Sequence, residues 1–164
     1  MRGKPFIHVF TGDGAGKTTA SLGVAMRALG HGQRVVMIQF MKRMRETGEY
    51  KAHKKFGAKF KIYQFGGSPR KKKAEEGLAF ARKVIKLKPN LLILDEVNLA
   101  AARGLLKKAD VVSFLRSIPS KINVILTGRK APKAFLRIAD GVSEIRKVKH
   151  RYDQGISAEA GIEF

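Results

Sequence analysis

An apolar run that stops at a cluster of glycines and restarts as a helical pattern constrains this chain more than any other feature. It reads Phe6-Ile7-His8-Val9-Phe10-Thr11-Gly12-Asp13-Gly14-Ala15-Gly16-Lys17-Thr18-Thr19. The apolar half predicts a strand. The glycines predict a turn whose N–H groups converge on an anion without Cβ clashes. Lys17 adds a point charge, the Thr18 hydroxyl suits a Mg²⁺ ion, and the positive end of the following helix faces the same place. This is the strand–loop–helix layout of a phosphate-binding loop of the G-x-x-x-x-G-K-[ST] type. Two residues depart from it: Thr11 stands where the first glycine belongs, and Asp13 brings a carboxylate into the cradle. Gly12, Asp13, Gly14, Ala15, Gly16, Lys17, Thr18 and Thr19 are therefore the candidate nucleotide-binding residues.

The rest of the chain alternates between strand and helix patterns. Leu22, Ala25, Met26 and Leu29 form a helical stripe closed by Gly30-His31-Gly32. Arg34–Phe40 reads as a buried strand. A basic connection, Met41–Lys59, is broken at Gly48 and Gly57. Phe60–Phe65 is a short strand, Gly66-Gly67-Ser68-Pro69 a loop and Ala74–Lys86 a helix with Leu78, Ala81 and Ile85 inward. Leu91–Glu96 is an apolar strand ending in two carboxylates. Val111, Val112, Leu115 and Ile118 mark another helix. Asn123–Thr127 reads as a strand, Pro132–Ala139 as a short helix and Val142–Val148 as a last strand, before an irregular tail to Phe164. Central strands apolar on both faces predict a three-layer α/β fold: a mostly parallel sheet with helices on both sides, residues 1–164 forming a single domain. Ligands of such sheets bind at the carboxyl ends of the strands.

That rule gives Asp95-Glu96 its meaning, because both acids fall beside the phosphate loop, where either can hold Mg²⁺ with Thr18. Arg129 follows a strand end and faces the same crevice. Arg27 lies nearly three turns into the first helix and reaches a phosphate only by bending back. The four histidines, His8, His31, His53 and His150, lack the spacing of a metal site. No general base stands out, which suits a reaction whose nucleophile needs no deprotonation.

Composition narrows the setting. The chain has 34 Lys and Arg against 13 Asp and Glu, a net charge of +21, so anions concentrate around it and a nucleic-acid partner stays open. With no cysteine, disulfides and thiolate chemistry are excluded. No apolar run is long enough for a membrane span and no signal peptide is visible, so a cytoplasmic protein is expected.

An ordered set of segments resembles the P-loop class of ATP:corrinoid adenosyltransferases. It comprises the loop just described, Arg27–Gly32, Val36–Lys42, Leu94–Ala100, Leu126–Arg129, Val148-Lys149-His150 and Gly161-Ile162-Glu163-Phe164. The resemblance implies a homodimer with a RecA-like sheet. It implies ATP and a reduced corrinoid as substrates, Mg²⁺ as cofactor, and an electron-donor protein that reduces cobalt. It further implies that Co(I) attacks the 5′ carbon of ATP and triphosphate leaves, the nucleotide lying reversed in the loop. By matching positions, Lys17, Arg27 and Glu96 are the catalytic candidates, and Thr18, Glu96 and Asp95 hold the metal. Well-studied members carry a Phe and a Trp in the loop after the third strand, where they strip the lower axial ligand from cobalt. Here that loop is Gly66–Pro69 and the chain has no Trp. A P-loop ATPase acting on nucleic acid and a small-molecule kinase are the competing readings.

Overall fold

The computed structural model describes residues 3–43, 45–149, 151–155 and 157–163. His150 and Phe164, which end two of the resembling segments, lie outside them. Six strands, β1 (Ile7–Thr11), β2 (Val35–Phe40), β3 (Phe60–Phe65), β4 (Leu91–Asp95), β5 (Asn123–Thr127) and β6 (Gly141–Glu144), form one sheet in the order β3-β2-β4-β5-β1-β6. Every pairing is parallel, so all carboxyl ends share one edge.

The two faces of the sheet are covered differently. On one face lie α1 (Lys17–Gly30), α2 (Gly48–His53) and a 3₁₀ turn at Lys54–Lys59, over Val35, Met37, Ile93 and Ile125. On the other lie α3 (Arg70–Val84), α4 (Val97–Ala102), α5 (Lys108–Ser117) and α6 (Lys133–Ile138), over Val36, Ile38, Leu92, Leu94 and Leu126. Phe114 of α5 is 1% exposed at the centre of this larger core. Its replacement by alanine removes a ring with nothing to fill the space, and Phe114→Ala is expected to cost about 3–5 kcal/mol in urea unfolding.

Several elements differ from the sequence reading, for physical reasons. The inward face of α1 is Ser21, Ala25 and Ala28, while Met26 is 57% exposed: small residues let the helix lie close to the sheet. Gly48 does not break the chain but opens α2 at a first-turn position, where its amide needs no intrahelical partner. The basic run Arg70–Lys73 belongs to α3, which starts at Arg70 behind a Pro69 cap rather than at Ala74, and Ile85 falls in a following 3₁₀ turn. β4 stops at Asp95, and a short helix, α4, follows where none is expected. Pro132 caps α6 from outside rather than opening it. β6 ends at Glu144, because the chain then leaves the sheet to cross the phosphate loop.

Two histidines, His53 buried and His8 half-buried, set an acid limit. Burial lowers the pKa of His8, whose Nε2 lies 3.0 Å from Ser143 Oγ, and of His53, which stacks edge-on with Tyr50. The unfolded chain then binds protons first, so the stability these groups contribute is complete above the ordinary value of 6.5 and is lost as pH falls below it. Urea midpoints should drop between pH 7.5 and 5.5, roughly the range over which histidine titrates, and drop less in His8→Gln.

Candidate active site

The phosphate loop is shaped by the chain that leaves β6. Ile145 N–H donates to the Thr11 carbonyl and Gly14 N–H to the Ile145 carbonyl, each at 2.8 Å. A Cβ on Gly14 would sit 2.6 Å from the Arg146 carbonyl, and one on Gly12 would overlap the Ile145 carbonyl. Gly12 and Gly14 are therefore glycines for close backbone approach, and the Gly14 amide is spent inside the protein. Gly16 differs: it takes φ 105° with open space around it and caps α1. The first-turn amides beyond it have no acceptor within the helix and point where an anion binds. Lys17 is buried and donates from Nζ to the Gly14 carbonyl at 2.5 Å. Burial first, then Arg129, lowers its pKa, while Glu96 and Asp13 pull it back up.

Sheet register assembles the polar cluster. Gln39 of β2 pairs with Asp95 of β4, and Leu94 with Leu126, which sets Thr127 level with Asp95. Asp95 is 0% exposed. Its Oδ1 accepts from Thr18 Oγ1 at 2.8 Å and Thr127 Oγ1 at 2.6 Å. Its Oδ2 accepts from Gln39 Nε2 at 3.1 Å and Lys42 Nζ at 2.9 Å. Asn98 of α4 is also fully buried, and its Nδ2 donates to the Phe10 and Gly128 carbonyls at 3.1 and 3.0 Å, tying β1 to the turn after β5.

Glu96 has turned out of the strand. Its backbone takes φ 64°, its N–H donates to Thr127 Oγ1 at 3.0 Å, and its carboxylate lies beside Asp13 and Arg129 in a cleft of about 530 Å³. Burial, then the neighbouring Asp95 charge, pushes the Glu96 pKa above its ordinary 4.5, with Lys42, Lys17 and Arg129 opposing. A wider cleft of about 800 Å³, bounded by the loop after β3, shares Met41, Lys42 and Arg103 with it.

The structure brings Asp13, Gly16, Lys17, Thr18, Asp95, Glu96 and Arg129 together at one end of the sheet. It does not bring Arg27. That residue is ten positions beyond Lys17, about 15 Å along the helix axis, and lines an apolar groove with Phe6, His8 and Phe10. Gln39, Lys42, Asn98 and Thr127 escape the sequence reading. A polar residue within or at the end of an apolar strand marked Gln39 and Thr127; nothing local marked Lys42 or Asn98.

The donor set fits Mg²⁺. The Thr18 proton is spent on Asp95, which leaves the hydroxyl lone pairs free, and the Glu96 carboxylate makes no hydrogen bond among the described residues. No group of three His, Cys, Asp or Glu suited to a metal occurs among the described residues, so an ion here takes its other oxygens from phosphate and water, the usual habit of Mg²⁺.

A parallel sheet, a capped glycine loop opening α1 and a buried acid ending β4 define a P-loop nucleotide-binding α/β protein. The solved KaiC-like protein PH0186 from Pyrococcus horikoshii OT3 has this fold, with a TM-score of 0.60 over 87% of this chain and 71% of its own, at 21% identity. Within that class, the chain belongs to the ATP:corrinoid adenosyltransferase BtuR/CobO/CobP family, whose model matches residues 3–164. The corrinoid adenosyltransferase of Escherichia coli K12 is 37% identical over 166 residues, covering 96% of this chain and 85% of the relative. Corrinoid adenosyltransferase CobA of Salmonella typhimurium is 36% identical over the same shares. The Pseudomonas aeruginosa enzyme is 32% identical over 99% of this chain and 84% of its own. The chain is thus an enzyme that transfers the adenosyl group of ATP to a corrinoid, and the nucleic-acid ATPase reading is not favoured. No helix of the described residues is long and apolar enough to cross a membrane.

Proposed function

We propose that residues 1–164 act as one domain that grips Mg²⁺-ATP by its triphosphate and leaves the 5′ carbon facing a Co(I) corrinoid in the wider cleft. The Asp95 cluster carries this reading, because it aims the Thr18 hydroxyl at the loop while Glu96 faces the same space with open lone pairs. In the reaction, the cobalt electron pair attacks the 5′ carbon. The cobalt–carbon bond forms as the carbon–oxygen bond breaks, and triphosphate leaves with the bonding pair. Cobalt ends two electrons more oxidised, and no proton moves.

The residues have three tasks. The amides of Gly16–Thr19 and the Lys17 ammonium hold the triphosphate, and Arg129 adds charge as negative charge builds on the leaving group. Thr18 and Glu96 hold Mg²⁺, which when bound supplies Lewis-acid charge to the triphosphate. Fixing the nucleotide under the corrinoid turns a bimolecular collision into an oriented step. Asp13, exposed at the mouth, faces the metal or the nucleoside end of a reversed nucleotide.

The reading includes a homodimer. The apolar groove of about 430 Å³ beside α1 offers a surface for a second copy, and Arg27 belongs with that groove rather than with the triphosphate. It also includes an electron-donor protein, because Co(I) must be made by reduction, and the cytoplasm, where ATP is supplied. The test is anaerobic incubation with ATP, Mg²⁺ and a chemically reduced corrinoid. A light-sensitive product with stoichiometric triphosphate, abolished by EDTA, is expected. ADP with phosphate, or turnover indifferent to EDTA, would overturn the reading.

A further inference from the structure

Resting on the magnesium reading above, we propose that Lys42 is a positioning residue: it is the standing counter-ion of Asp95, and it confines the divalent ion to Thr18 and Glu96. A carboxylate offers about four acceptor positions. Asp95 gives two to the hydroxyls of Thr18 and Thr127 and two to Gln39 and Lys42, so no position is open to a metal. Glu96, one residue on, has no such partners and faces the nucleotide cleft. Adjacent acids have thus divided the work, Asp95 aiming Thr18 and Glu96 facing the ion.

Lys42 makes that division hold. It follows Met41, which turns the chain out of β2 at φ 60°. Its Nζ lies 2.9 Å from Asp95 Oδ2 and 3.9 Å from Glu49 Oε1, and the same Glu49 oxygen accepts from Gln39 Nε2 at 3.0 Å. One ammonium therefore sits between two carboxylates, with a third, Glu96, nearby. Without it, Asp95 Oδ2 and Glu49 Oε1 would lose the cation they share, and a divalent ion could take the ammonium's place between these two carboxylates before any nucleotide arrived. With it, the metal lacks ligands until phosphate oxygens supply them, so ion and ATP enter together.

The experiment is Mn²⁺ binding, followed by electron paramagnetic resonance on the full chain with and without ATP. The wild type is expected to bind Mn²⁺ tightly only with ATP. Lys42→Gln is expected to gain at least about tenfold in nucleotide-free affinity. Lys42→Arg, which keeps the charge, should behave as wild type, and Lys42→Gln/Asp95→Asn should lose the gain. An unchanged nucleotide-free affinity in a folded Lys42→Gln protein overturns the proposal. Should that variant not fold, the wild type decides: tight nucleotide-free Mn²⁺ binding that Asp95→Asn removes is contradictory, and weak binding indifferent to Asp95→Asn is the expected result. A wild type that binds no Mn²⁺-ATP contradicts the underlying magnesium reading instead, and so is told apart.

Discussion

Lys17→Met is expected to lower kcat/KM by on the order of 10²–10³, or about 3–4 kcal/mol of transition-state stabilisation, without unfolding the protein. The leaving triphosphate gains charge as the carbon–oxygen bond breaks, so a cation fixed against it counts for more in the transition state than in the bound substrate. The loss should therefore fall on kcat as well as on KM. Folding should be nearly indifferent, because burial and Arg129 already disfavour the Lys17 ammonium, and its one hydrogen bond among the described residues goes to the Gly14 carbonyl. Steady-state kinetics beside a thermal melt separates the two effects. A variant that melts early would make Lys17 a structural residue, and one with unchanged kcat/KM would remove it from the reaction.

Glu96→Gln should move stability and activity in opposite directions. Burial and the Asp95 charge raise the folded pKa of Glu96 above 4.5, so the fold favours the protonated form. That contribution is complete below 4.5 and is lost as pH rises through the folded value, leaving the ionised group a burden at neutral pH. The amide carries no such burden, and the ligand-free variant should melt higher than wild type near pH 7. The difference should fade as pH approaches 4.5, where the wild-type group is itself protonated. With the carboxylate charge that holds the metal lost, turnover should fall by at least about 10², and added Mg²⁺ should recover part of it. A stable variant with unimpaired turnover would remove Glu96 from the metal site.

Much of this molecule can be read from its residues. β2, β4 and β5 are legible because strands covered on both faces are apolar throughout, and the glycine loop is legible because few contexts require glycines before Lys-Thr. What stayed hidden depends on contacts between distant segments. Gly12 and Gly14 look like parts of an anion cradle, but their immediate reason is the passage of Ile145 and Arg146 across them. The inward face of α1 is misread at Met26 because hydrophobicity favours the largest side chain, whereas close helix–sheet packing selects Ala25 and Ala28. In α4, six residues are too few for a period to show. Asp95 is visible as an acid ending an apolar strand. Its partnership with Gln39 and Lys42 exists only once β2 and β4 pair in register, and no local pattern contains it.

The reaction is defined by which bond of ATP breaks, and an isotope placed in that bond decides it. ATP carrying ¹⁸O at the bridge between C5′ and the α-phosphorus should give triphosphate containing all of the label, with an unlabelled adenosyl group on cobalt, because the cut falls between carbon and oxygen. Label retained on the nucleoside product would mean that phosphorus, not carbon, was attacked, and would contradict the account at its centre.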